Sequence, residues 1–506
     1  MTATSTLTGA DGKQMTNSAT QPILSGFYPD PTICRVGDDY YLSTSSFEYF
    51  PGAPIFHSTD LVNWTQQGHI LDRRSQFRLG DPRPSTGIYG STLREHDGIF
   101  WFITTNVSDY GAGQVLVQAT DPAGPWSDPV FIGEAIGIDP DLCWDENGDC
   151  YLSWKAMSFT EGEIGILQAR LDASTGKLRD APYPIWQGSG MGAVEAPHLY
   201  RNGSYWYLLL AEGGTERGHC VTAARSLHPS GPFEACPNNP IFTHRSSIDP
   251  VQNVGHADLV QTPEGAWAAV YLGVRPRGST PGFHVLGRET FVAGIDWMGG
   301  WPVFDEDRFC VPAVDTAFSD DFSDARLHRR WVVPSGEPES IVSKAPDGGI
   351  GLSRLADGSM GLLCARVRDL RWSAETVISG SGSFLLRIDD RNCYGLTVEA
   401  GRVSGWVHLG GIHHELGSTE ARAETTLRIE SAPPLSPPVP LGHGGPDEIV
   451  LSVVQEGREH LLGRFDGRYL STEVASGFTG RMLAIQGSQG QGTFLSMRYT
   501  PYTPQT

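Results

Sequence analysis

His198-Leu199-Tyr200-Arg201-Asn202-Gly203-Ser204-Tyr205-Trp206-Tyr207-Leu208-Leu209 is a short apolar run, a turn dipeptide and an aromatic run in succession. Asn-Gly between two such runs is the strongest short-range signal for a β-hairpin. The same order occurs four more times. Thr32-Ile33-Cys34 leads through Gly37-Asp38-Asp39 to Tyr40-Tyr41-Leu42-Ser43-Thr44, and Thr92-Leu93-Arg94 through Asp97-Gly98 to Phe100-Trp101-Phe102-Ile103-Thr104. Asp141-Leu142-Cys143 leads through Asn147-Gly148 to Tyr151-Leu152-Ser153-Trp154, and Asp258-Leu259-Val260 through Glu264-Gly265 to Trp267-Ala268-Ala269-Val270-Tyr271. The second runs recur about every 50 to 60 residues, which is room for four strands and their loops. Five such units predict a five-bladed β-propeller, an all-β architecture that limits exposed sheet edges by radial repetition. A β-sandwich enzyme is the structural alternative, but it does not require five matched hairpins.

Aligning the first runs on Ile33, Leu93, Leu142, Leu199 and Leu259 places Asp30, Gly90, Asp139, Ala196 and His256 three positions upstream. Tyr89 and Glu195 stand one position before that in two of the units. In a propeller the first strand of each blade lines the central axis, so this repeat position collects Asp, Tyr, Asp, Glu and His around one channel mouth. A lone Asp-Pro, as in Asp30-Pro31 or Asp139-Pro140, is ordinary turn chemistry. Three carboxylates at equivalent points of three blades are not explained that way. Clustered carboxylates repel, so their titrations separate, and one stays protonated while another stays ionised. Glycoside hydrolysis uses that division: an acid for the leaving oxygen and a carboxylate on the opposite face of the sugar. A calcium site is the competing use, and the D-x-D-x-D loops it favours are missing at these positions.

The residues here also carry a resemblance to glycoside hydrolase family 43. It runs in order through Gln21-Pro22-Ile23-Leu24-Ser25-Gly26-Phe27-Tyr28-Pro29-Asp30-Pro31, Ser46-Phe47-Glu48-Tyr49-Phe50-Pro51-Gly52 and Gly137-Ile138-Asp139-Pro140-Asp141-Leu142. Glu195-Ala196-Pro197-His198-Leu199-Tyr200, Val254-Gly255-His256-Ala257-Asp258 and Leu286-Gly287-Arg288-Glu289-Thr290 continue it. The resemblance implies an exo-acting glycosidase that inverts the anomeric centre. It implies Asp30 as general base, Asp139 as the carboxylate that orients and tunes the acid, and Glu195 as general acid. It further implies Arg288 and His256 as substrate-side residues, with Tyr89 walling the pocket and Phe47 either walling it or packing in the core. Similar sequences read Trp or Tyr followed by Ala-Pro where this chain has Tyr89-Gly90-Ser91, a departure that loosens the turn beneath Tyr89. Glu212 and Glu216 follow a strand and read as structural. No cofactor is required; an ion in the channel near His256 is left open.

Around residue 312 the repeat stops. Phe318-Ser319-Asp320-Asp321-Phe322 followed by Trp331 resembles the start of the concanavalin-like β-sandwich that trails the β-xylosidase and α-L-arabinofuranosidase branch of the family. Alternation in 375–378, 383–388, 394–398 and 449–454 fits two packed sheets. The proline-rich stretch 431–446 reads as a long irregular loop, and His413-His414 as loop or strand-surface residues. The expected organisation is thus a disordered tail over 1–20, a propeller over 21–312 and a sandwich over 313–506.

Composition bounds the partners. Among 506 residues, 37 are Lys or Arg and 58 are Asp or Glu, a net charge of −21. That balance argues against nucleic acid, whose non-specific affinity comes from basic side chains, and against a polybasic membrane contact. No apolar run approaches the roughly 20 residues of a membrane helix. Eight cysteines without a C-x-x-C read as buried thiols in a reducing compartment, so a cytoplasmic location is expected. The expected partner is an oligosaccharide released from xylan or arabinoxylan, cleaved at a terminal α-L-arabinofuranose or β-D-xylose. A non-catalytic sugar-binding propeller is the rival, and a homo-oligomer is left open.

Overall fold

A computed structural model describes residues 7–8, 14–17, 20–78, 83–158, 162–334, 336–355, 357–434 and 444–502. The chain divides into two compact units. The first comprises Met1–Leu24, Tyr28–Val274 and Glu289–Ala313, and the second comprises Ser25–Phe27, Arg275–Arg288 and Val314–Thr506.

Among the described residues of the first unit each matched hairpin opens an antiparallel blade; four blades have four strands, and the blade that begins with Gly137–Trp144 has five. Their innermost strands are Thr32–Val36, Ile88–His96, Gly137–Trp144, Glu195–Asn202 and Gln252–Gln261. Each touches the innermost strand of the next blade, and the fifth touches the first, so the ring closes. The turns follow the chemistry of their residues. Asp97 and Gly98 take φ of 54° and 76°, the left-handed pair that a two-residue hairpin needs to match strand twist. Blades bury aromatic and β-branched faces against one another. Tyr200, Tyr207, Tyr271, Phe291 and Trp301 pack between blades 4 and 5, while Trp101, Leu142, Leu152 and Trp154 pack between blades 2 and 3.

The N-terminal stretch read as a disordered tail is in part a strand. Gln14–Asn17 pairs antiparallel with Cys310–Pro312, and Leu7–Thr8 pairs back on it. The short alternating segment supplies the backbone donors and acceptors that the 310–312 edge lacks. The rest of 1–19 lies outside the described residues. All eight cysteines are free thiols; six are buried, Cys143 is half-buried, and Cys310 is exposed at that same strand edge, where the reading of a buried thiol does not hold.

The second unit is a β-sandwich. One sheet contains Trp372–Gly380, Glu424–Ala432, Glu448–Gln455, Arg458–Asp466 and Gly492–Pro501. The other contains Leu362–Arg366, Gly382–Arg387, Asn392–Glu399, Arg402–Leu409, Ile412–Glu420 and Met482–Gln486. Strands of the two sheets lie against each other. The burial of Trp372–Gly380 alternates residue by residue, as a strand with one core face must. The ion pair of Arg481 with Asp447, at 2.6 and 2.8 Å, is enclosed in this unit. Trp331 donates its indole N–H to Asp320 at 2.8 Å, which fixes the start of the sandwich. Ser431 and Ala432, expected in the proline-rich loop, finish a strand instead, because their backbones pair with Ile449 and Glu448. Residues 435–443 of that loop lie outside the described residues. His413 and His414 lie exposed on an edge strand.

Candidate active site

The repeat position read from the sequence has a shared backbone signature. Asp30, Asp139, Ala196 and His256 have φ of 53°, 53°, 50° and 47°. In blades 2 to 5 the pairing register of the innermost strand breaks at this point, between Ile88 and Ser91, Ile138 and Asp141, Glu195 and His198, and around Gly255. A bulge frees residues from the ladder and re-aims their side chains, and a left-handed non-glycine residue costs of order 1–3 kcal/mol. Four such residues at one level of one ring mark that level as the place where the strand ladder yields to another requirement.

The side chains at that level interact. Asp30 accepts a hydrogen bond from Ser45 Oγ at 2.6 Å, and its other oxygen is 3.5 Å from His256 Nδ1. Asp139 accepts from the Ala196 N–H at 3.2 Å. Burial, then the charges of Glu195 and Asp30, push the Asp139 carboxyl up to about 8, while Lys155 acts in the opposite direction. Lys155 Nζ itself stands 3.2 Å from Glu195 Oε2. Gly90 fills the second blade's place in the ring for a steric reason. A Cβ there would lie 2.5 Å from Asp139 Oδ1 and 2.9 Å from His256 Cε1. The glycine that loosens the turn in the sequence is therefore what lets Asp139 and His256 close over that blade.

Beside this ring, Tyr89 is half-buried, with its hydroxyl donating to Ser85 O at 2.8 Å. Phe47, only 1% exposed, packs edge-on behind it at 5.0 Å. Arg288 belongs to the second unit, where its guanidinium lies 5.6 Å from the centre of the Phe478 ring. Glu212 is fully buried and accepts from Ser189 N, Ser189 Oγ and Thr222 Oγ1, so its part is to hold the 188–192 loop. Glu216 is exposed.

Two residues further along each innermost strand is a second ring that the sequence reading did not single out: Thr32, Thr92, Asp141, His198 and Asp258. Thr32 donates to Asp258 at 2.7 Å, and His198 Nδ1 lies 3.0 Å from Asp141. From the next level Arg94 reaches Asp258 at 2.8 Å and Asp141 at 3.0 Å. Tyr200 donates to Asp258 as well. Burial alone would raise the Asp258 carboxyl, but Arg94 and then His198 hold it well below the usual carboxylate range. The sequence signal was available, since polar residues in step with the first ring occupy strands otherwise built of apolar ones. Among the described residues no three His, Cys, Asp or Glu side chains group as ligands for one metal ion, and no helix is long and apolar enough to cross a membrane.

Comparison with known proteins finds one family. The description "Glycosyl hydrolases family 43" matches residues 19–302. A xylosidase/arabinosidase of Butyrivibrio fibrisolvens is 49% identical over 296 residues, which is 56% of each chain. The non-reducing end alpha-L-arabinofuranosidase BoGH43B of Bacteroides ovatus is 32% identical across 92% of this chain and 90% of its own. Among solved structures, the GH43B protein of a Bacteroides ovatus xyloglucan locus superposes with a TM-score of 0.84 at 32% identity, covering 95% of this chain and 99% of that one.

Proposed function

Because the chain belongs to glycosyl hydrolase family 43 and is a glycosidase, we propose that it removes terminal α-L-arabinofuranose or β-D-xylose from oligosaccharides derived from arabinoxylan or xylan, with inversion at the anomeric carbon. Arabinofuranose ranks first, supported by the resemblance to an arabinofuranosidase along nearly the whole chain. The observation that carries the reading is the mutual influence of Asp30, Asp139 and Glu195 at one level of the ring, expressed in the raised Asp139 carboxyl.

In this mechanism Glu195, protonated, gives its proton to the glycosidic oxygen as that bond breaks. Asp30, ionised, takes a proton from the water that attacks the opposite face of the sugar. One turnover leaves Glu195 ionised and Asp30 protonated, and exchange with solvent restores both. Asp139 donates no proton to substrate. Held by the N–H of Ala196, the residue that follows Glu195, it orients and tunes the acid. His256 and Tyr89 are assigned to the sugar, with Phe47 supporting Tyr89, and for Arg288 the substrate-side role rests on the family resemblance alone. The eight free thiols support a cytoplasmic location.

The test is a pair of nitrophenyl pentosides, with the released sugar followed by NMR. Release of the pentose with inverted configuration is expected. A retained configuration rejects the base assignment of Asp30, and binding without any release selects the sugar-binding alternative.

A further inference from the structure

Lys155 enters neither the sequence reading nor the mechanism above, yet its ammonium group stands 3.2 Å from Glu195 Oε2. It lies on Cys150–Ser158, the second strand of blade 3, and reaches to the first strand of blade 4. Its main chain is held tightly. Lys155 pairs with Ile138, and at Gly137, with φ of 153°, a Cβ would lie 2.0 Å from the Lys155 carbonyl oxygen. Only a glycine allows this approach, so the two strands close and fix where the lysine stem begins. The side chains of Lys155 and Glu195 are 12% and 18% exposed, which leaves water little room to screen them.

Other charged groups stand near this pair. Asp139 faces the pair from the first strand of blade 3. Asp30, on blade 1, acts on Asp139, and His256 of blade 5 lies 3.5 Å from its other oxygen. Glu212, next to the Ala211 that pairs with Glu195, has its oxygens engaged by Ser189 and Thr222.

We propose that Lys155 is a positioning residue for the acid step, orienting Glu195 and setting the upper pH limit of the reaction. The proposal rests on the reading of Glu195 as the acid. An ammonium group beside a carboxyl stabilises its ionised form, so it favours departure of the proton toward the leaving oxygen. It does so at the expense of the pH range over which that proton is retained. Removing the charge makes the carboxyl a weaker acid that keeps its proton longer, so the basic limb of the pH profile moves up.

The experiment compares Lys155→Met, Lys155→Arg, Glu195→Gln and the double variant Lys155→Met/Glu195→Gln. Each is assayed for kcat/KM against pH on a natural oligosaccharide and on a nitrophenyl pentoside. For Lys155→Met we expect the basic limb to move up by roughly 1 unit or more. Its kcat on the oligosaccharide should fall about tenfold or more, with a much smaller loss on the nitrophenyl substrate, which needs little protonation. Lys155→Arg should restore the limb, and Lys155→Met should shift nothing further once Glu195 is Gln. An unmoved limb in Lys155→Met, or a loss equal on both substrates and matched by a fall in Tm, overturns the proposal. If Glu195→Gln itself shows no dependence on the leaving group, it is the acid assignment of Glu195 that fails, and the proposal with it.

Discussion

Asp139 shows how one carboxyl can serve catalysis and oppose folding. Its folded value of about 8 lies above that of an unfolded aspartate, so between the two the folded protein holds a proton that the unfolded chain has released. Raising pH through that window therefore removes stability. Asn cannot ionise and can still accept from the Ala196 N–H. Asp139→Asn should accordingly melt above the wild type at pH 8, by ~2–4 °C for each kcal/mol of relieved repulsion, with the difference vanishing toward pH 4, while activity is lost. Thermal melts across pH 4–9 check the sign. Glu195→Gln is expected to behave differently. It should slow natural oligosaccharides far more than nitrophenyl pentosides, by about 10²–10⁴ against a modest factor, as measured by steady-state rates on both. Gly90→Ala tests the steric reading of the ring. The added methyl must displace Asp139 or His256, so kcat/KM should fall at least tenfold in the same assay with little change in secondary structure by circular dichroism.

At the scale of elements, the five hairpins were legible because turn chemistry and aromatic strands are local properties. The repeat position was legible because alignment of the five units turned scattered acids into one ring. The bulges were not, since a register break leaves no mark in composition: Ile138-Asp139-Pro140-Asp141 and Glu195-Ala196-Pro197-His198 look like ordinary strand starts until their ladders are seen. Lys155 was missed for a related reason. Trp154-Lys155-Ala156 reads as a strand end, and its partner Glu195 is forty residues away on another blade. The second ring holds the strands together below the first. Arg94 stands between two enclosed carboxylates, Asp141 and Asp258, and removing the cation leaves both uncompensated. Arg94→Leu should destabilise the first unit by roughly 3–5 kcal/mol, measured by chemical denaturation.

For the whole molecule, the −21 charge and the axial carboxylates make acid the stress to examine. Asp258 titrates below its unfolded value, so its contribution is fully present above the ordinary carboxylate range and is lost as pH falls through that range toward the lowered value. Asp258→Asn should blunt the acid-unfolding midpoint while lowering stability at neutrality, as followed by tryptophan fluorescence from pH 7 to 2. The sandwich was legible from its alternation and from the stretch holding Phe318, Phe322 and Trp331, whose rings pack on one another. The assignment of Ser25–Phe27 and Arg275–Arg288 to the second unit was not. Compactness depends on contacts across hundreds of residues, and no local pattern announces a segment that leaves its own sheet's neighbourhood.

The left-handed turn repeated at Asp30, Asp139, Ala196 and His256, with Gly90 lacking that turn at the fifth place, amounts to a seating plan with five numbered chairs. Each chair fixes a backbone and leaves its occupant to choice. Three chairs hold working groups and two hold almost nothing: the place at Gly90 is ceded to Asp139 and His256, and Ala196 is enclosed. Glu195 is seated beside a chair rather than in it, so the ring can carry an acid without surrendering a place. New chemistry in this scaffold is then a matter of who sits where: the turn is kept, and the occupant of position 30, 139 or 256 decides what the ring can do.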